Sequence, residues 1–170
     1  MKKSIIILAA IIMMASFSVQ ATVAPSNTAT ANATAKILAA LSIIKNVDLS
    51  FGTMTIPTAA TTVIVAPDGT RTSTGNITLL AQAPLTTASS YSVTGDPGAT
   101  YTITLPASTT ILNGTQQMTV NNFTSSKTNN GSTIGTGGTD SFTVGATLNL
   151  NNAQASGTYT GSFNVTVNYN

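Results

Sequence analysis

Cysteine, histidine, tryptophan and glutamate are all missing from this sequence. Without cysteine there is no disulfide, so packing, hydrogen bonding and neighbouring chains have to hold the fold. Without histidine, cysteine or glutamate, the groups able to move protons, attack carbon or bind metal shrink to four Asp, four Tyr, a few basic side chains and hydroxyls. Asp48, Asp68, Asp96 and Asp140 stand apart at turn-like positions, where a carboxylate accepting a nearby backbone N–H is the expected role. Nothing in their spacing suggests the carboxylate pair, about 5–9 Å apart, that glycoside chemistry needs. Calcium would require clustered oxygen ligands, and Gly135-Thr136-Gly137-Gly138 lacks the lysine and helix of a phosphate loop. The expectation is a protein that is not an enzyme and carries no cofactor or metal.

Charge is also scarce, at 6% of positions. Long apolar runs are confined to the N-terminus, where Lys2 and Lys3 precede Ile5 to Ala15, and Val19 and Ala21 supply small residues before a cleavage point. Residues 1–21 therefore read as a bacterial secretory signal peptide. The run is shorter than the about 20 residues of a spanning helix, and no cysteine follows it to carry a lipid. Removing 21 of the 170 residues would leave 149, with four basic side chains (Lys36, Lys45, Arg71, Lys127) facing four Asp. The pI near 9.1 then belongs largely to the signal, and neither nucleic acid nor membrane insertion is expected of the mature chain. A near-zero net charge suits a surface that associates with copies of itself.

What the sequence does contain is alternation. In Gly157 to Asn170, Tyr159, Phe163, Val165, Val167 and Tyr169 occupy odd positions and polar residues fill the even ones, so a strand with one buried face is expected, running to the end of the chain as part of the core. A second series of odd apolar positions runs from Ala29 to Phe51, broken only at Lys45. Extended at about 3.3 Å per residue it would reach about 80 Å, far beyond one strand. It divides into an Ala/Thr arm, a bulky core strand from Ile37 to Ile44, a turn or bulge at Lys45-Asn46, and a short strand ending at Phe51.

Further strands are expected over Thr61–Ala66, Gly75–Ala81, Ser90–Thr94, Thr100–Leu105, Thr109–Leu112, Gln117–Phe123, Ser141–Leu150 and Thr158–Asn170, bounded by turn signals such as Pro67-Asp68-Gly69, Asp96-Pro97-Gly98 and Asn113-Gly114. Residues 129–140, rich in Gly, Asn, Thr and Ser, read as a long mobile loop. The fold class is all-β, an antiparallel β-sandwich, with 1–21 as signal peptide, 22–36 as an N-terminal arm and 37–170 as the sandwich domain.

Counted from the end, Tyr169 is penultimate, Val167, Val165 and Phe163 alternate before it, and Gly157 is fourteenth. This ending resembles the C-terminal signature of chaperone-usher pilins, and the alternating arm after the signal fits the same pattern. The resemblance implies an immunoglobulin-like sandwich lacking its final strand. On that resemblance, a periplasmic chaperone would pair with the strand of Gly157, Tyr159, Phe163, Val165, Val167 and Tyr169 until another copy's N-terminal arm replaced it. Here that donor would be Ala29, Ala31, Ala33, Ala35 and Ile37. The absence of cysteine, where commoner pilins carry a disulfide, points to an alternative or archaic branch. Asp48-Leu49-Ser50-Phe51-Gly52 together with GTYTGSFNVTVNYN is also similar to an uncharacterised family of bacterial secreted β-proteins, a domain of unknown function.

Four alanines bring about 3 kcal/mol of apolar burial, so the arm reads equally as a flexible linker or an extension of the first strand. Two functions follow. One is a structural subunit of a surface pilus or fimbria, with copies of itself, a periplasmic chaperone and an outer-membrane usher as partners. The other is a self-contained secreted sandwich that coats the surface and binds carbohydrate through Tyr and Thr.

Overall fold

The computed structural model describes residues 27–170; the expected signal segment 1–21 and the first part of the arm, 22–26, lie outside the described residues. The chain divides into two units, Met1–Ala35 and Lys36–Asn170. Of the first, residues 27–35 are exposed and belong to no strand.

The second unit is the antiparallel β-sandwich expected from the strand spacing. Its first strands are β1 (Ser42–Val47), β2 (Ser50–Phe51), β3 (Thr61–Val65), β4 (Arg71–Thr74), β5 (Thr86–Thr87) and β6 (Ser89–Thr94). Then come β7 (Thr100–Thr104), β8 (Ser108–Asn113), β9 (Gln116–Ser125), β10 (Gly131–Thr133), β11 (Thr139–Leu150) and β12 (Thr166–Tyr169), with a 3-10 turn at Thr128–Asn130. The large sheet runs β1-β6-β11-β3-β4, with β9 on the opposite edge of β11 and β8 beyond it; β10-β7-β12 form a second sheet and β2-β5 a small third.

The 12-residue strand β11 is the spine. Its first half pairs with β6 and its second half with β3, while β9 lies along the other edge. The change of partner falls at Gly145, where a Cβ would run into the backbone of Val65, Ala66 and Pro67. Residues 144–148 are all buried, so both faces of the strand are covered there.

Alternation along β6, β7 and β11 puts Tyr91, Val93, Tyr101, Ile103, Phe142 and Val144 into one core cluster between the two larger sheets. Tyr91 and Phe142 stack with centroids 5.1 Å apart. A second cluster of Val63, Met118, Val120, Ala146, Leu148 and Leu150 lies under the other half of β11, and Phe123 packs against both.

Several elements differ from expectation. The strand expected over Ile37–Ile44 starts only at Ser42, and Ile37 is 92% exposed; alternation shows which residues share a face, not whether a partner covers it. The bulge at Lys45-Asn46 is present as a register shift between Lys45 and Val47. After the Pro67-Asp68-Gly69 turn the chain pairs at once, Arg71 opposite Val65, so the strand after it is β4; the stretch expected over Gly75–Ala81 makes only the bridge Met54–Leu79. The segment read as a long loop, 129–140, contains β10 and the buried Ile134, 1% exposed, whose N–H donates to the Ala99 carbonyl. The β8–β9 hairpin turns at Gly114-Thr115, one residue beyond the Asn-Gly centre, with Gly114 at φ 59°.

Candidate functional site

The C-terminal stretch comes first, because the sequence singled it out. Every odd position named there, Tyr159, Phe163, Val165, Val167 and Tyr169, faces the core, and the even ones are exposed. Yet none of the five is fully buried, whereas the inward residues of β3, β6, β7 and the second half of β11 are. Only Thr166–Tyr169 form a regular strand, on β7; farther back the segment touches β8 through the bridge Leu112–Thr160. A core-facing row that stays half-open marks a place where the sandwich is incompletely covered.

Beside Tyr159 and Phe163 of that row lies a cleft of about 600 Å³. Its floor is the second core cluster, with Met118, Val120, Leu148 and Leu150. One wall is residues 49–57, whose Leu49, Phe51 and Met54 pack on that cluster; the other is 154–163. In the first wall, Thr53 and Thr55 spend their backbone bonds on Leu80 and Thr78, so those of Met54 point the other way. In the second, Thr160 exchanges both its bonds with Leu112, so those of Gly161 point away from β8. The backbone groups of Met54, Ile56, Gly161 and Phe163 have no hydrogen-bond partner among the described residues. Two stretches of unpaired backbone thus flank an apolar floor.

Local chemistry holds the walls. Gly161 passes so close to β8 that a Cβ would lie 2.7 Å from the Thr110 carbonyl oxygen. Gly157 sits at φ 143° against the Asn113 side chain, which donates to the Ser156 carbonyl at 3.3 Å. The Tyr159 hydroxyl accepts from Gln154 Nε2 at 2.9 Å and donates to the Ala155 carbonyl at 2.8 Å. Phe163 meets Phe123 with ring centroids 4.7 Å apart. The opposite wall depends on Arg71, whose guanidinium donates to the carbonyls of Phe51 (3.0 Å), Thr53 (3.1 Å) and Leu80 (2.9 Å).

The candidate donor residues are placed differently. Ala29, Ala31, Ala33 and Ala35 are exposed and lie in the Met1–Ala35 unit, while Ile37 belongs to the sandwich unit.

The DUF4402 family, described as a domain of unknown function, matches residues 41–169. The chain belongs to that family. No curated protein and no solved structure matches it. The expected likeness to a domain of unknown function is met by DUF4402, while the likeness to chaperone-usher pilins has no family match behind it.

Away from the cleft of this DUF4402 chain, Asp140 departs from its expected turn role. It is the second residue of β11 and accepts from Lys127 Nζ (2.8 Å), Ser132 Oγ (2.6 Å), Tyr101 Oη (2.9 Å) and the Ser141 N–H (2.8 Å). Burial pushes its pKa up, but the four donors outweigh burial and hold it down at about 2. The same burial, reinforced by the Asp140 carboxylate, raises the Tyr101 hydroxyl above its ordinary range. Asp68 keeps the expected role, accepting the Thr70 N–H at 2.8 Å, a bond that lowers its pKa.

Sequence reasoning missed Arg71, Gln154 and the Asp140 network. A lone arginine in a chain with 6% charged residues was the one available signal for the first; the partners of the other two come from strands far apart in sequence.

Proposed function

We propose that this DUF4402 chain is a non-catalytic structural subunit of a bacterial surface fibre, exported through the periplasm and assembled by strand addition. The arm of one copy, Ala29 to Ala35, enters the cleft of the next. The observation that carries this reading is the pair of open backbone edges, at Met54–Ile56 and Gly161–Phe163, facing one cleft over the second core cluster. An extended segment laid there would find main-chain partners on both sides and an apolar floor, the general mode of strand addition. The floor alone gains about 3 kcal/mol from four alanine methyls. Each new backbone hydrogen bond adds about 1 kcal/mol, so pairing along two edges supplies what the small side chains do not.

Before assembly the open edges are an aggregation hazard. A periplasmic chaperone that pairs with the Gly161–Phe163 edge and lays a segment over the cleft would cover them, and an outer-membrane usher would be the site of exchange. The test is deletion of Thr22 to Ala35 with electron microscopy of the cell surface. Loss of fibres is expected, and fibres of unchanged length would overturn the reading.

A further inference from the structure

The chain holds two Asn-Gly steps, Asn113-Gly114 and Asn130-Gly131, and the fold treats them differently. The second is tied at three points. The Asn130 N–H donates to the Lys127 carbonyl at 3.3 Å, Asn130 Oδ1 accepts from Ser125 Oγ at 3.0 Å, and the N–H of Gly131, which opens β10 opposite Thr102, donates to the Thr128 carbonyl. Asn113, by contrast, forms with Gln116 the last pair of the β8–β9 hairpin, where fraying begins. Beyond that pair Gly114 is exposed at φ 59°, with open space around it, and its N–H has no hydrogen-bond partner among the described residues. The Asn113 side chain has one tie, the 3.3 Å bond from Nδ2 to the Ser156 carbonyl, which is long for an N–H···O contact and exposed to water.

That tie belongs to the cleft. Ser156 and Gly157 line its C-terminal wall, and Gly157, at φ 143°, passes so close to β8 that a Cβ would run into Asn113 Nδ2. Replacing the Asn113 carboxamide by a carboxylate would remove the N–H that the Ser156 carbonyl accepts and set acceptor oxygens against it. The chemistry for that replacement is present in the turn itself, because an asparagine followed by a glycine is the thermolabile pair in which no Cβ hinders approach of the next backbone nitrogen. We propose that Asn113 is a site of spontaneous deamidation, and that the product unfastens the cleft wall at Ser156-Gly157.

In the first step the Gly114 backbone nitrogen gives up its proton and attacks Asn113 Cγ. The new N–Cγ bond closes a five-membered succinimide as the Cγ–Nδ2 bond breaks, and Nδ2 leaves with that proton as ammonia. Water, the only co-reactant, then opens the ring at either carbonyl and leaves aspartate or isoaspartate. At Asn130 the same attack requires the Gly131 N–H to leave the Thr128 carbonyl and Asn130 Oδ1 to leave Ser125, so the fold directs the reaction to Asn113. The change runs one way and places a negative charge beside the apolar cleft. It depends on the wall alone, not on what occupies the cleft or on strand addition.

The experiment incubates the folded chain, residues 22–170, in mildly alkaline buffer and follows its peptides by mass spectrometry. The peptide holding Asn113 is expected to gain about 1 Da and to separate into aspartate and isoaspartate forms, while the one holding Asn130 stays unchanged. An Asn113 that stays intact, or an Asn130 that converts first, overturns the site. The consequence is read on Asn113→Asp by hydrogen exchange. The Thr160 amide, which donates to the Leu112 carbonyl at 2.9 Å, is expected to exchange about fivefold faster or more, the effect of one lost hydrogen bond, with amides of β11 unchanged. A Thr160 amide as protected as in the parent, or β11 amides that accelerate equally, overturns the link to the wall. Neither readout involves fibres, so a failure of strand addition would leave both standing.

Discussion

The hydroxyl of Tyr169 donates to the carbonyl of Ala39 at 2.9 Å, across 130 positions of sequence. It also accepts the Asp96 N–H at 2.7 Å. One phenol thus joins the last strand, the segment before the first strand and the β6–β7 turn. Gly95 is required beside it, because a Cβ there would collide with the Tyr169 hydroxyl and press on Leu41. This latch closes one end of the sandwich, and the cleft lies toward the other.

Tyr169→Phe keeps the ring and loses both hydrogen bonds, leaving the Asp96 N–H and the Ala39 carbonyl without this partner. The expected cost is about 1–3 kcal/mol, a fall of several degrees in melting midpoint at about 2–4 °C per kcal/mol. Gly95→Ala should cost at least as much through the same latch, and the two together less than their sum. Thermal melting of the three variants checks this.

Acid should act through Asp140. Its folded pKa, about 2, lies below the ordinary aspartate value of about 3.9. The stability it contributes is therefore fully present above that ordinary value and is lost as pH falls toward 2. Asp140→Asn should melt lower at pH 6 yet lose less on acidification than the parent. Melting midpoints from pH 6 to pH 2 would show the two curves converging; parallel curves would count against the network.

Arg71→Met removes the donor shared by the carbonyls of Phe51, Thr53 and Leu80. The cleft wall should loosen while the spine does not. Hydrogen exchange should speed up at least tenfold at Thr55 and Leu80, with amides of β11 nearly unchanged, and global stability should fall by about 1–3 kcal/mol.

Gly161→Ala forces a Cβ to within 2.7 Å of the Thr110 carbonyl oxygen, so the C-terminal wall must move off β8. A loss of about 1–3 kcal/mol is expected. Exchange at the Thr160 and Leu112 amides, which bond each other's carbonyls at 2.9 and 2.8 Å, should accelerate most.

Most of the strands were legible because alternation and turn residues act locally. β3, β6, β7, β8, β9 and β11 lie within two residues of their expected bounds at each end. The misses share one cause. Ile37, Ile134 and the 157–165 stretch are cases in which a local pattern was read correctly as a face or as a loop, but burial depended on what packed against it. A Gly-rich segment held Ile134 in the core because Ala99 offered it a carbonyl, and a bulky alternating segment left Ile37 outside because its neighbours were anchored to Asp96 and Tyr169.

Taken by itself, the amino-acid sequence determined the all-β class, the positions of most strands and turns, and the inward face of Tyr159 to Tyr169, since each follows from the two-residue period of a pleated strand and from residues that tolerate turn geometry. Only the tertiary structure decided that this face stays half-open, that Met54–Ile56 and Gly161–Phe163 leave their edges unpaired around one cleft, and that Tyr169, Asp96 and Ala39 latch the far end. Those properties belong to pairs of segments up to 130 positions apart, and contacts at that range are set by the packing of the whole sandwich rather than by any local run of residues.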